Sequence, residues 1–158
     1  MATVRVQRDD FDPGAEAEAL ARGRTDVGGV ASFVGYCRDE GGRLAALELE
    51  HYSGMAEEEI ARAAGEAEAR WPLLGMTVIH RYGRIAPGER IVFVAVAAAH
   101  RGAAFAAAEM LMDYLKTRAP FWKQVEYADR RTWVEAKSSD DALAERWALP
   151  DGRDEAAE

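Results

Sequence analysis

Residues 90–123 read RIVFVAVAAAHRGAAFAAAEMLMDYLKTRAPFWK, and this stretch decides the fold. Its first part, residues 90–99, is apolar almost throughout, which predicts a strand covered on both faces. Its second part, residues 102–118, carries Phe105, Ala108, Leu111, Met112 and Leu115 at helical spacing. Pro120 stops that helix. A strand buried on two sides and leading straight into a helix needs layers above and below it. The rest of the chain must supply them.

Working outward, residues 77–82 form a second strand, joined to the first across the turn Ala86-Pro87-Gly88-Glu89. Residues 55–71 read as a helix with Ile60, Ala64, Ala67 and Trp71 on one stripe. Glu57, Glu58 and Glu59 load its first turn and Pro72 ends it. Residues 29–37 and 43–52 are strands flanking Asp39-Glu40-Gly41-Gly42, and are expected to pair as a hairpin. Val4 and Val6 mark a short first strand. Asp12 and Pro13 cap and open a helix running to about Arg22-Gly23. Beyond residue 123, residues 123–127 and 132–136 form a last hairpin, and residues 139–147 a terminal helix. The mixed order of elements gives an α+β class. Residues 1–150 are expected to be one domain, and residues 151–158 an acidic, frayed tail.

Composition narrows the function. The chain has 158 residues, 49% of them hydrophobic and 30% charged, with 20 Lys+Arg against 28 Asp+Glu. A net charge of −8 disfavours a general nucleic-acid binder, which needs basic surface. One Cys excludes an internal disulfide framework and a CxxC site. The charged N-terminus does not read as a signal peptide, and the longest apolar run, residues 91–99, is too short to span a membrane. A cytoplasmic, soluble protein is expected. No P-loop, GxGxxG, GxSxG or metal-ligand cluster occurs, so no metal and no cofactor are expected.

The chemistry concentrates in residues 100–123. Arg101, Lys116, Arg118 and Lys123 face only Glu109 and Asp113 there. A basic island on an acidic protein suits a small anion. His100 and Arg101 sit where a buried strand turns into a helix with no Ser, Thr, Asp or Asn to cap it. A phosphate could satisfy the open N–H groups, and water could equally do so. Lys116 lies about 20° from Phe105 on the helix wheel, at the margin of the apolar stripe. Partial desolvation there would make it a usable proton donor or acceptor; pairing with Asp113 is the structural alternative. Phe121 and Trp122 beside Lys123 could floor a pocket for a flat heterocycle, or could simply be core. Arg38 ends a strand before a Gly-rich turn and can reach an anion. Cys37 reads as a buried, inert thiol rather than a nucleophile.

These residues also carry a resemblance. Glu50-His51-Tyr52-Ser53-Gly54-Met55, Val78-Ile79-His80-Arg81 and Ala99-His100-Arg101 belong to it. So does the run from Met112 to Lys123, MDYLKTRAPFWK, with Trp133-Val134-Glu135-Ala136 after it. Together they resemble the large, catalytic subunit of molybdopterin synthase, over residues 28–147. The resemblance implies an α/β-hammerhead fold with an antiparallel β subdomain. It also implies a homodimer at the centre of a heterotetramer, each protomer binding a small ubiquitin-like sulfur-carrier subunit. The implied activity transfers two sulfurs from the carrier's C-terminal thiocarboxylate to cyclic pyranopterin monophosphate. By the same resemblance Lys116 and Lys123 are the catalytic lysines, with Arg38, His100 and Arg101 binding substrate beside them. Lys116 would handle protons, Lys123 would stabilise developing negative charge, and Arg101 with the helix start would hold phosphate. Many relatives carry Lys where Tyr36 stands, and a basic residue followed by an acid where Gln124-Val125 stand, so this pocket's rim should be less charged. Two other readings remain open: a non-catalytic docking subunit for a ubiquitin-like partner, and a lysine Schiff-base enzyme acting alone.

Overall fold

The computed structural model describes residues 2–134 and 138–148. Its elements in chain order are β1 (Ala2–Gln7), α1 (Pro13–Ala19), β2 (Gly29–Tyr36), β3 (Leu44–His51), α2 (Met55–Arg70) and β4 (Leu73–Arg81). β5 (Gly83–Ile85), β6 (Arg90–Ala98), α3 (Arg101–Thr117), β7 (Phe121–Tyr127), β8 (Arg131–Val134) and α4 (Ser138–Glu145) follow. The strands form two four-stranded sheets, in the orders β1-β4-β6-β2 and β5-β3-β7-β8. In the first, β1 runs parallel to β4, while β4, β6 and β2 are antiparallel. The second is antiparallel throughout. The α+β class and the separate antiparallel sheet are both present.

β6 is the centre of the first sheet, and its side chains alternate between two cores. Val92, Val94, Val96 and Ala98 join Ile60, Ala64 and Ala67 of α2 and Ala104, Ala107, Leu111 and Tyr114 of α3. Phe93 and Ala95 point the other way, onto Phe11, Ile79 and the Ala17–Leu20 side of α1. That is why the strand reads as apolar without alternation. Asp12 caps α1 by accepting the Ala15 N–H at 3.1 Å, with Pro13 in the first turn.

A smaller core of Cys37, Leu44, Leu47, Leu49, Ile85 and Val125 supports the second sheet. Ile91 packs against both this core and the α2/α3 core, so it lies at the seam of the two sheets.

Three expectations need correction. β2 and β3 do not form a hairpin: β2 pairs with β6 and β3 with β5 and β7, in different sheets. One hydrogen-bonding edge of β2 is taken by β6, and the chain passes through the positive-φ glycines Gly41 and Gly42 into the other sheet instead of folding back. α1 stops at Ala19, short of Arg22-Gly23. The terminal helix is Ser138–Glu145, so Trp147 lies beyond it. The 123–127/132–136 hairpin exists as β7 and β8, but Glu135 and Ala136 lie outside the described residues, as does the expected tail at 151–158. Among the described residues, no helix is long and apolar enough to cross a membrane.

Gly28 hands its N–H to the Ala98 carbonyl at 3.0 Å, and a Cβ on it would lie 1.9 Å from the Ala99 carbonyl oxygen. Backbone atoms cannot step aside as a flexible side chain can. Gly28→Ala should therefore destabilise the fold by about 1–3 kcal/mol. Gly29→Ala, where a Cβ meets nothing within 4 Å, should leave the fold nearly as stable as the parent. Urea unfolding of the two variants checks the contrast.

Candidate functional site

The break at Pro120 builds the site. The Arg118 N–H bonds the Tyr114 carbonyl at 2.7 Å to close α3. The Phe121 N–H bonds the Ala119 carbonyl at 2.8 Å and turns the chain into β7. Lys116, on the last turn of α3, and Lys123, in β7, thereby reach the same cavity, of about 290 Å³. Its apolar lining comes from Leu47 and Leu49 of β3, Ile91, Leu115 and Phe121; its polar groups are His80, Lys116, Lys123 and Asp140. A second cavity of about 230 Å³ adjoins it, sharing His80, Ile91, Leu115 and Lys116 and extending toward Phe33 and Tyr36 of β2.

Lys116 lines both cavities but is exposed, so the desolvation expected from its helix position is not supplied by this chain. The reason is the rotation of α3. Its buried face runs through Ala104, Ala107, Ala108, Leu111, Tyr114 and Leu115, whereas Phe105 is 65% exposed. Lys116 lies about 120° from Ala104 around the axis, off that face with Phe105. The Asp113 pairing is also absent: Asp113 accepts from Arg146 at 2.9 Å and from the Trp147 indole N–H. Arg118 leaves the basic island too, stacking over the Tyr114 ring at 3.7 Å and bonding Glu66 at 3.0 Å.

Lys123 sits between Leu49 of β3 and Val134 of β8. Its positive charge reaches Cys37, whose thiol is pushed up by burial and pulled back by Lys123. Cys37 is 1% exposed in the smaller core, which supports the inert reading. Of the two aromatics beside Lys123, Phe121 lines the cavity, while Trp122 faces outward, 43% exposed and edge-on to Tyr52.

The remaining expected residues do not converge on this cavity within one chain. Arg38 is exposed just beyond β2, next to Cys37. His100 is the N-cap of α3, with extended backbone and no side-chain cap bond, so the helix start is open as the sequence suggested. His100 and Arg101 are both exposed. Fifteen residues of helix separate Arg101 from Lys116, which is about 22 Å at the rise of an α-helix.

His80 is the site residue that the sequence reading did not single out. It lies on β4, stacked on Phe121 with ring centroids 3.8 Å apart. Burial pushes its imidazole down from 6.5 to about 4. The bond from its Nδ1 to the Arg81 carbonyl opposes that, and the charges of Lys116 and His51 add to it. The available signal was a lone His inside the apolar strand run 76–80. Among the described residues, no group of three or more His, Cys, Asp or Glu side chains could hold a metal ion.

The family model described as MoaE protein matches residues 6–118. The chain is 63% identical over 147 residues to the molybdopterin synthase catalytic subunit of Mesorhizobium japonicum, covering 92% of each. Its structure is similar to that of the molybdopterin biosynthesis MoaE protein from Burkholderia ambifaria, with TM-score 0.82 and 49% identity over 95% of this chain and all of the other. A Helicobacter pylori chain from a complex of subunits 1 and 2 of molybdopterin-converting factor shares the fold at TM-score 0.70 and 18% identity, with coverage of 87% and 92%.

The unfolded chain takes up a proton at His80 below its ordinary 6.5, and the folded chain refuses it until about 4. Stability is therefore full above that window and falls as pH drops through it, by up to about 3 kcal/mol from this group. His80→Gln should flatten that part of the slope in urea unfolding across the window.

Proposed function

The chain belongs to the MoaE protein family, and from that premise we propose that it acts as the catalytic subunit of a molybdopterin synthase, with a small partner subunit, in molybdenum cofactor biosynthesis. It is a sulfurtransferase. Two carrier thiocarboxylates in turn give up sulfur to cyclic pyranopterin monophosphate. At each transfer a carbon–sulfur bond replaces a carbon–oxygen bond of the pterin precursor, and the carrier's acyl–sulfur bond breaks. The acyl carbon ends as a carboxylate, its new oxygen coming from the displaced precursor oxygen or from water, so sulfur and oxygen exchange places and no oxidant or reductant is required. The observation that carries this reading is the convergence of Lys116 and Lys123, from α3 and β7, on one cavity with an apolar wall and an aromatic ring.

Lys116 moves protons as sulfur adds and the acyl group leaves, and Lys123 holds developing negative charge. The carrier tail and the precursor supply the desolvation that Lys116 lacks in the open cavity. Trp133 and Trp122, 55% and 43% exposed on β8 and β7, lie next to the cavity residues Val134 and Lys123 in the chain but on the outward face of the same sheet, and this exposed aromatic surface supports a partner docking on it.

His100 and Arg101 bind the same precursor only if a second copy of the chain brings its α3 start to the cavity, because about 22 Å of helix cannot fold back on itself. A homodimer core follows. The exposed Phe33 and Tyr36 on the edge strand β2, at 46% and 53%, support such self-association. Arg38, at the end of the same strand, orients the precursor.

Mixing the protein with thiocarboxylated carrier and precursor, then assaying molybdopterin, tests the function directly. Lys116→Ala should slow single-turnover transfer by about 10²-fold or more while leaving folding intact, because an exposed helix position tolerates Ala. Lys116→Arg should fail as well, since Arg cannot release its proton at working pH. Lys123→Arg should retain more activity than Lys116→Arg. A Lys116→Arg variant that turns over at the parent rate would make its role electrostatic.

Arg101→Ala should weaken precursor binding by about 1.5–3 kcal/mol, the loss of a charged hydrogen bond, with carrier binding little changed. Calorimetric titration of precursor and of carrier separates the two effects.

A further inference from the structure

The two cavities share the lining residues His80, Ile91, Leu115 and Lys116. Sulfur transfer as described above gives His80 no task. Its surroundings nevertheless fix it in every respect. The ring is parallel to Phe121 within 15°, which sets its plane. Nδ1 lies 2.8 Å from the Arg81 carbonyl oxygen. A carbonyl only accepts, so Nδ1 carries the proton and Nε2 is left with a bare lone pair. Arg81 is itself anchored, donating from Nε to the Arg8 carbonyl at 2.9 Å and from Nη1 to the Arg90 carbonyl at 2.8 Å. His80 as a residue is 9% exposed, and both cavities are lined by it. β4 thus presents one rigid, uncharged hydrogen-bond acceptor to the site.

The titratable groups around it come from four elements. Lys116 of α3, Lys123 of β7 and Asp140 of α4 line the same cavity, and His51 of β3 is near enough to influence its charge. The buried Nδ1 of His51 has no hydrogen-bond partner among the described residues, but Lys116 is the group of these four that lines both cavities with the ring. No ion pair to Lys116 occurs among the described residues, and the carboxylate one turn back, Asp113, is held by Arg146. Lys116 shares both cavities with His80, and its charge is felt at the ring.

We propose that His80 is the positioning residue for Lys116: its Nε2 accepts a hydrogen bond from the Lys116 ammonium and turns that side chain into the cavity. The role deepens the reading of Lys116 as the proton-handling lysine and rests on it. The choice of group has a physical reason. A carboxylate in this place would orient the lysine equally well but would hold its proton by charge attraction. A neutral imidazole orients it while costing proton release far less.

Two readouts test this without carrier or precursor, so they stand apart from the sulfur-transfer assay. In the first, histidine side-chain ¹⁵N resonances are compared between the parent protein and Lys116→Ala. The His80 Nε2 signal should be that of an unprotonated nitrogen at neutral pH and should move by several parts per million, with Nδ1 nearly still. In the second, limited acetylation followed by mass spectrometry measures Lys116 reactivity against the chain's amino terminus as internal reference. His80→Phe keeps the stack on Phe121 and removes the lone pair. It should speed Lys116 labelling at fixed pH by about threefold or more, because the amine loses a hydrogen bond that only its protonated form donates to Nε2. His80→Gln, which keeps an acceptor, should stay near the parent rate. An Nε2 signal unmoved by Lys116→Ala overturns the proposal, as does unchanged labelling in a folded His80→Phe. If His80→Phe does not fold, the resonance comparison on the parent chain decides alone.

Discussion

Covering both faces of β6 is the constraint from which the other elements take their places. Val92, Val94 and Val96 on one face and Phe93 and Ala95 on the other are all fully buried or nearly so. Leaving either face wet would forfeit about 25 cal/mol for each Å² of apolar surface exposed. α2 and α3 close one side and α1 the other. Because the strand is central, β4 and β2 must flank it, and β2 is thereby drawn away from β3. The second sheet meets the first at Ile91, and the larger cavity forms between residues of the two sheets and the end of α3.

The site inherits its precision from this arrangement. Lys116 stands on a long helix held along its length by Ala104, Ala107, Leu111 and Tyr114 in the core, and Lys123 on a strand paired on both sides. Neither depends on a loop for its placement, and rigid elements hold functional groups more closely than loops do. The aromatic floor follows from the same registers. His51 opposes Phe121 across β3 and β7, and their rings meet edge to face at 5.8 Å.

Much of this was legible in the chain. The unbroken apolar run of β6, the Pro120 stop and the stripe of α2 are local signals, and the structure places each where its pattern pointed. The β2–β3 hairpin was misread because turn chemistry at Gly41-Gly42 speaks only of reversal, not of which strand waits on the other side. Phe105 shares the apolar stripe of the helix yet is 65% exposed, because a helix wheel gives relative angles but not which angle faces the sheet. The pairing of Lys116 with Lys123 came from the resemblance carried by the run Met112 to Lys123, since spacing alone left Lys116 open to an Asp113 partner and Phe121-Trp122 open to the core. His80 was not readable, because a buried histidine on a strand shows its chemistry only once Phe121 and the Arg81 carbonyl surround it.

The chain that follows α4 has an influence beyond its few contacts. Trp147 takes hydrogen bonds from Arg70 and Tyr114 on its carbonyl and gives one from its indole to Asp113, while Arg146 bridges Asp113 and Glu109. Asp113 lies one helical turn before Lys116, within ordinary reach of an i,i+3 ion pair. By occupying that carboxylate, residues 146 and 147 keep Asp113 from pairing with Lys116. A chain ending before Arg146 would keep both lysines in the cavity wall and still lose this electrostatic asymmetry. Asp113 would be free to neutralise Lys116, and the C-terminal segment would be revealed as a remote setting of the cavity's charge.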